Sequence, residues 1–334
     1  MNIIKSIIHS LAKLRLKLYE YNFFKTYSFN IPVISIGNIS MGGTGKTPMV
    51  AWIVDQLLFL NKKPCVITRG YNRKSNKMIM INNNKYNHYT LDEVGDEPFY
   101  LLKEYPNISM VVGNNKMAAI NLAINKLDID VIVLDDGFQS LYIKRDLDVV
   151  MININDCNII DRENFSALNR ADVVIFKPCD RSLGDYYKKL NKMNNKKILK
   201  MVAKALFSIE DGHNVNNIKK IGATVAVCGI GDSASFKKSL INNNIMIGEF
   251  LSYGDHHNYT IDDMKFIYNK MKESNCQTII TTTKDFYKLN ALNKKNKKIV
   301  VLKMKFDFLN TVEYGYAKKD ELVTLLAATI GKYV

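Results

Sequence analysis

Ser40-Met41-Gly42-Gly43-Thr44-Gly45-Lys46-Thr47 decides how the rest of this chain is read. An apolar run, Pro32 to Ile36, stands just before it, and a stretch with helical character, Met49 to Leu60, follows. The spacing is that of a G-x-x-x-x-G-K-[ST] phosphate loop between a strand and a helix, with Ser40 in place of the first glycine. Glycines let the main chain curl so that successive N–H groups point inward at phosphate oxygens, and the new helix adds the positive end of its dipole. All eight residues are thus expected to wrap the phosphates of ATP. Lys46 would reach the β- and γ-phosphates and Thr47 would bind magnesium.

Working outward, the partner of such a loop is an apolar strand that ends in acid. Val131-Ile132-Val133-Leu134-Asp135-Asp136 has that form, so Asp135 or Asp136 is expected to hold Mg2+ directly or through water. Two adjacent carboxylates at a strand end are costly without a cation nearby. Further strands are predicted at Cys65 to Thr68, Ser109 to Val112, Val149 to Ile152 and Val173 to Phe176, with helices at Pro98 to Lys103 and Lys116 to Lys126 between them. Met78 to Tyr89 has the β character of a hairpin, and Asp180 to Lys200 reads as a helix with a loop. A second series runs through Thr224 to Cys228, a helix from Ser233, Thr278 to Thr281, and Ile299 to Leu302. The pattern predicts an α/β protein: a P-loop NTPase-type domain with a mostly parallel sheet, residues 28–204, and a second, smaller α/β domain, residues 205–334. Asn125-Lys126-Leu127-Asp128 matches the N-K-x-D guanine motif, but it ends a helix instead of following a buried strand, and it reads as a turn.

Residues 1–27 form a separate element. Ile3, Ile4, Ile7, Ile8, Leu11, Leu14 and Leu18 fall at helical spacing on one face, with Lys5, Lys13 and Lys17 beside them. Such a helix either packs on the protein's own core or lies on an anionic bilayer, where its lysines meet lipid phosphates. Lys5 and His9 interrupt the start too early for a signal peptide, and no run of 18 apolar residues exists in the chain. The formal net charge of +15 biases the protein toward polyanions, although much of it is ordinary solvated lysine. Five scattered cysteines without a C-x-x-C pair argue against a disulfide scaffold or a zinc site.

Two further clusters carry chemistry. Asp96, in Gly95-Asp96-Glu97-Pro98, sits at a loop-to-helix junction, where a carboxylate either faces a cleft or caps the helix. Asp255-His256-His257 holds two of the five histidines. It reads as a core histidine pair with satisfied partners or as the D-H-H of metal-dependent phosphoesterases. That last reading needs acidic motifs near the N-terminus, where this chain has a phosphate loop.

Taken together and in order, Gly37-Asn38, the glycine loop with Pro48, Arg69-Gly70-Tyr71, Gly95-Asp96-Glu97-Pro98, Asp135-Asp136-Gly137-Phe138-Gln139, Arg170-Ala171-Asp172, Gly229-Ile230-Gly231, Asp255-His256-His257-Asn258-Tyr259 and Thr281 to Asp285 resemble the tetraacyldisaccharide 4'-kinases, the lipid A 4'-kinases. The resemblance runs from about Ile31 to Leu289. It implies transfer of the γ-phosphate of ATP, with Mg2+, to the 4'-hydroxyl of a tetraacylated glucosamine disaccharide 1-phosphate in lipid A biosynthesis. It also implies a monomer, peripheral at the cytoplasmic face of the inner membrane on an anionic surface, with no nucleic-acid partner. Asp96 falls where the family has its catalytic aspartate, and a histidine of the 256–257 pair falls where the family has the residue that assists it. Glu163 is then a further metal ligand, and Arg69, Tyr71, Lys116 and Gln139 are substrate contacts. The sequence departs from the family pattern at Ser140, at Asp161-Arg162-Glu163-Asn164, at Lys116 and at Thr283. The alternative function is a membrane-associated P-loop ATPase switch that recruits partners.

Overall fold

Runs such as Val33–Asn38 and Val131–Asp135 are too apolar for a sheet with one wet face, and their valine, isoleucine and leucine side chains are all buried. In the computed structural model, which describes residues 2–40, 45–83, 88–153, 163–177, 198–211, 214–216, 221–308 and 317–333, they are the neighbouring strands β1 (Val33–Asn38) and β5 (Val131–Asp135). The remaining strands of this sheet are β2 (Pro64–Thr68), β3 (Ile79–Ile81), β4 (Ser109–Val112), β6 (Leu147–Asn153), β7 (Val173–Lys177) and β8 (Leu199–Asp211). Their order is β8–β7–β6–β1–β5–β2–β4–β3, parallel throughout except for β3 against β4. Strand order reverses at β1, whose neighbours are β5 on one side and β6 on the other. In open α/β sheets the crevice at the carboxyl ends of such strands is where ligands bind.

The helices of this first unit are α1 (Asn2–Glu20), α2 (Lys46–Phe59), α3 (Leu91–Val94), α4 (Asp96–Glu104), α5 (Lys116–Lys126) and, returning from the end of the chain, α9 (Lys319–Gly331). Met49, Val50, Ile53 and Leu57 of α2 are wholly buried. Ala119, Ile120 and Ala123 of α5 pack with Ile67, Val111, Ile132 and Leu134 of the sheet. Each such aliphatic side chain contributes about 1.5–3 kcal/mol by leaving water. α5 ends at Lys126 and exposed Asp128 pairs with Lys63, so Asn125 to Asp128 is the turn that the sequence predicts.

The second unit, Leu206–Lys305, has β10 (Thr224–Cys228), β11 (Ile247–Ser252), β12 (Thr278–Thr281) and β13 (Lys298–Phe308) in the order β11–β10–β12–β13, all parallel. Helices α6 (Ser233–Asn242), α7 (Ile261–Glu273) and α8 (Thr283–Leu292) alternate with them, and β9 (Asn214–Asn216) pairs antiparallel with the end of β8.

Three expectations need correction. The chain enters the second unit after Ala205 but leaves it after Lys305, so residues from 306 on belong with the first unit and not with a C-terminal domain ending at 334. Among the described residues of Met78 to Tyr89, which leave out 84–87, the β character yields one three-residue strand, β3, and it pairs with β4. Of Asp180 to Lys200, read as a helix with a loop, residues 180–197 lie outside the described ones, and Leu199 and Lys200 begin a strand of 13 residues, Leu199–Asp211.

In α1, three side chains of the apolar stripe, Ile7, Leu11 and Leu14, are more than half exposed, and Leu18 is half-buried. Among the described residues, no helix is long and apolar enough to cross a membrane.

Candidate active site

The register of the first sheet brings together the two segments expected from sequence to form the phosphate site. Ile36 lies opposite Asp135, and the Gly137 amide donates to the Ile36 carbonyl at 3.1 Å. The acid pair therefore sits at the strand end adjoining the one from which the loop departs. Met41, Gly42, Gly43 and Thr44 lie outside the described residues; Ser40, Gly45, Lys46 and Thr47 are described. Ser40 and Thr47 are buried. Gly45 stands at the N-cap of α2 with φ +88°, and a Cβ there would come within 2.7 Å of the Phe306 ring, so both its conformation and its space require glycine. Lys46 and Asp136 form an ion pair at 3.2 Å.

Asp135 accepts from the Thr68 hydroxyl at 2.9 Å, at the end of the neighbouring strand β2. Burial pushes its carboxyl up to about 6, and the negative charges of Glu97 and Asp136 add to this, against the Thr68 hydroxyl and the Lys116 ammonium. Glu97 and Asp136 thus lie near enough to Asp135 for their charges to act on it. Glu97 and Thr68 were not singled out from sequence as site residues. A signal existed for each: Glu97 adjoins Asp96, and Thr68 ends a buried strand with a polar residue.

Lys116, read as a substrate contact, is instead fully buried, and its ammonium donates to the main-chain carbonyls of Asp135, at 2.8 Å, and Asp136. Glu163, read as a metal ligand, is also buried. Its two oxygens accept from Arg170 at 2.8 and 3.0 Å, and one of them accepts from Gln139 at 3.1 Å. A carboxylate held on both oxygens by a guanidinium is a strong and well-oriented pair. Gln139 also donates to the Asn38 carbonyl at 2.8 Å, and Arg170 lies over the Phe138 ring at 4.4 Å. Gln139 thereby ties the end of β1 to the Glu163–Arg170 pair.

Asp96 is buried and is the first residue of α4; the N-cap position belongs to Gly95, with φ +93°. The reading of Asp96 as a simple cap therefore fails. A Cβ on Gly95 would meet the Tyr71 carbonyl at 2.7 Å, and one on Gly70, with φ +66°, would meet the Val94 carbonyl at 2.4 Å. The two glycines let the Arg69-Gly70-Tyr71 and Gly95-Asp96-Glu97 backbones interlock. This places exposed Arg69 and Tyr71 beside the helix start that bears Asp96.

In the second unit, Asp255, His256 and His257 form the turn after β11. His257 is occupied on three sides: it lies 3.1 Å from Asp263, stacks on Tyr253 at 4.6 Å, and meets Tyr259 edge-on at 5.0 Å. His256 is held in the left-handed region at φ +58°, with its amide donating to the Gly229 carbonyl at 2.9 Å. Asp285, buried in the Thr281 to Asp285 motif, accepts from the Gly229 amide at 3.0 Å and from Thr282 at 2.7 Å. Three short motifs thus meet at Gly229. Among the described residues, no group of three or more His, Cys, Asp or Glu is arranged to hold a metal ion, so the D-H-H metal-site reading gains no support there.

Comparison with known proteins finds similarity over nearly the whole chain. The family profile described as Tetraacyldisaccharide-1-P 4'-kinase matches residues 1–316. The tetraacyldisaccharide 4'-kinase of Flavobacterium psychrophilum is 31% identical over 331 residues, which are 92% of this chain and 92% of that one. That of Aquifex aeolicus is 29% identical over 295 residues, 85% of this chain and 88% of that one. Among solved structures, the "apo" form of LpxK from Aquifex aeolicus in complex with ATP is similar in fold, with a TM-score of 0.74 at 24% identity over 98% of this chain and 97% of that one. The chain belongs to the tetraacyldisaccharide-1-phosphate 4'-kinase family.

Proposed function

We propose that this enzyme transfers the γ-phosphate of ATP to the 4'-hydroxyl of a tetraacyl glucosamine disaccharide 1-phosphate. The observation that carries the reading is the convergence of Lys46, Asp135 and Asp136 at the switch point of the sheet, with Glu97 of the Gly95-Asp96-Glu97 motif close enough to act on Asp135. The hydroxyl oxygen attacks the γ-phosphorus, the bond to the bridging β–γ oxygen breaks, and ADP leaves. Asp96 takes the hydroxyl proton. Lys46, paired with Asp136 at 3.2 Å, is placed to turn toward the β- and γ-phosphates. Asp135, Asp136 and Thr47 would hold magnesium, which supplies charge neutralisation on the phosphates. A histidine of the 256–257 pair is the proposed assistant of Asp96; His256 pairs with Asp255 at 3.8 Å and His257 with Asp263 at 3.1 Å. Exposed Arg69 and Tyr71 are the proposed acceptor contacts.

A kinase and an ATPase switch differ in one measurable respect. ADP formation should depend on the disaccharide 1-phosphate and yield one 4'-phosphorylated product per ADP; ATP turnover indifferent to acceptor would contradict the reading.

The acceptor is a lipid, and we place the enzyme on the cytoplasmic face of the inner membrane through α1. The outward Ile7, Leu11 and Leu14, with exposed Tyr21 and Phe23 just beyond the helix, support this. Apolar burial is insensitive to salt, whereas each lysine near an anionic surface contributes about 1 kcal/mol that salt screens. Ile7→Ser with Leu11→Ser and Leu14→Ser should release the protein from anionic vesicles at any salt while sparing activity on a detergent-solubilised acceptor. Co-sedimentation equal to wild type would refute the docking role.

A further inference from the structure

Lys116 breaks two local rules at once. It is the first residue of α5, where the positive end of the helix dipole disfavours a cation. It is also 0% exposed, in surroundings where an ammonium needs compensating partners. Departures from local rules concentrate where function requires them. Here the ammonium grips two consecutive main-chain carbonyls, those of Asp135 and Asp136. The second belongs to a residue with φ +51°, in the left-handed region. With the backbone turned in this way, the two neighbouring carboxylates diverge: Asp135 goes to the Thr68 hydroxyl and Asp136 to the Lys46 ammonium. Gly137, which follows, has no room for a side chain, since a Cβ would lie 2.5 Å from the Ser35 hydroxyl.

We propose that Lys116 is a positioning residue for the metal site: by clamping both carbonyls it fixes the directions in which Asp135 and Asp136 present their carboxylates to magnesium. This rests on the reading of the acid pair as the magnesium site. A direct contact with the acceptor would need an ammonium that the substrate can reach, and this one is enclosed.

The test uses the full-length enzyme with ADP and Mn2+, so that bound metal is counted by electron paramagnetic resonance without turnover. Lys116→Met keeps the length of the side chain and removes its donors. Its Mn2+ affinity should fall by about tenfold to a hundredfold, the loss typical of removing a group that orients a metal ligand. The magnesium concentration for half-maximal rate should rise in parallel, while the KM for the lipid acceptor stays within about twofold. Lys116→Arg, which keeps the charge and the donors, should recover most of the affinity. Should Lys116→Met fail to fold, Lys116→Gln retains two N–H donors on a shorter, uncharged side chain and should show an intermediate loss. Unchanged metal affinity in a folded Met or Gln variant overturns the inference, as does a raised acceptor KM with the metal dependence intact. Asp135→Asn separates the two readings. If it too leaves Mn2+ binding unchanged, the magnesium assignment has failed. If it weakens binding while Lys116→Met does not, only the positioning role has failed.

Discussion

Two turns in this protein pose the same steric problem and solve it with opposite charges. Among the described residues, eight non-glycine positions have positive φ; six are asparagines, which tolerate that region, and the other two are Asp136 and His256. Both lie in motifs that carry the proposed chemistry, in keeping with the tendency of backbone strain to collect at functional sites. At Asp136 the strained turn is held by a buried cation, Lys116, gripping carbonyls. At His256 it is held by a buried anion, Asp285, which grips the Gly229 amide, whose carbonyl in turn takes the His256 amide. The first turn presents acids and is steadied by an ammonium. The second presents a base and is steadied by a carboxylate. Each support lies on a distant segment, so each turn is a tertiary product rather than a local one.

The comparison is sharpened first by Lys46→Ala, which removes the ion-pair partner of Asp136 without touching its backbone. Turnover should fall by about a thousandfold, the scale of a lost group that stabilises charge in the transition state, with an unchanged circular dichroism spectrum. Activity near wild type would detach Asp136 from the chemistry. Asp285→Ala probes the opposite support. It strips the acceptor from the Gly229 amide and from the Thr282 hydroxyl, and should cost about 2 kcal/mol in urea unfolding. A loss no larger than that of an exposed control such as Asp262→Ala would mean that the second turn stands without its anion.

The acid turn should also show in the pH dependence of stability. Asp135 has its carboxyl raised to about 6 in the folded protein, first by burial and then by Glu97 and Asp136. The folded state then binds the proton more tightly than the unfolded chain. The contribution is therefore fully present below the ordinary value of 3.8 and is lost as pH rises through about 6. Without metal, wild type should lose up to about 2 kcal/mol relative to Asp135→Asn across that window, and magnesium should restore part of it. A flat difference would show that the acids do not crowd one another. The smallest effect concerns the strain itself. His256→Gly should be more stable than His256→Ala by about 1 kcal/mol, because only glycine enters the left-handed region freely. Equal stability would remove strain from the account of the second turn.

Much of this was legible in the residues. The glycine loop, the strand ending in Asp135-Asp136 and the alternation of strand and helix each have a local signature, and the helix at Pro98 and the turn at Asn125 to Asp128 followed from the same rules. What was not legible depends on partners far along the chain. Lys116 looks like any basic residue at a helix start until its carbonyl acceptors, 19 and 20 residues away, are seen. Glu163 reads as one more acid near a nucleotide until Arg170 closes on both of its oxygens. Two adjacent histidines look alike in sequence, whereas in the structure His257 has ring contacts with Tyr253 and Tyr259 and His256 a left-handed backbone. The return of residues from 306 to the first unit leaves no composition shift to mark it.

The central claim is that Asp96 accepts the proton of the attacking hydroxyl at a nucleotide site built by Lys46, Asp135 and Asp136. Asp96→Asn tests it most directly, because it keeps the shape of the side chain and removes its basicity. Single-turnover phosphate transfer from ATP to the disaccharide 1-phosphate should slow by about a hundredfold to ten-thousandfold, the range of general base catalysis, with ATP affinity unchanged within about twofold. Transfer at the wild-type rate, or a slow rate explained entirely by lost ATP binding, would contradict the account.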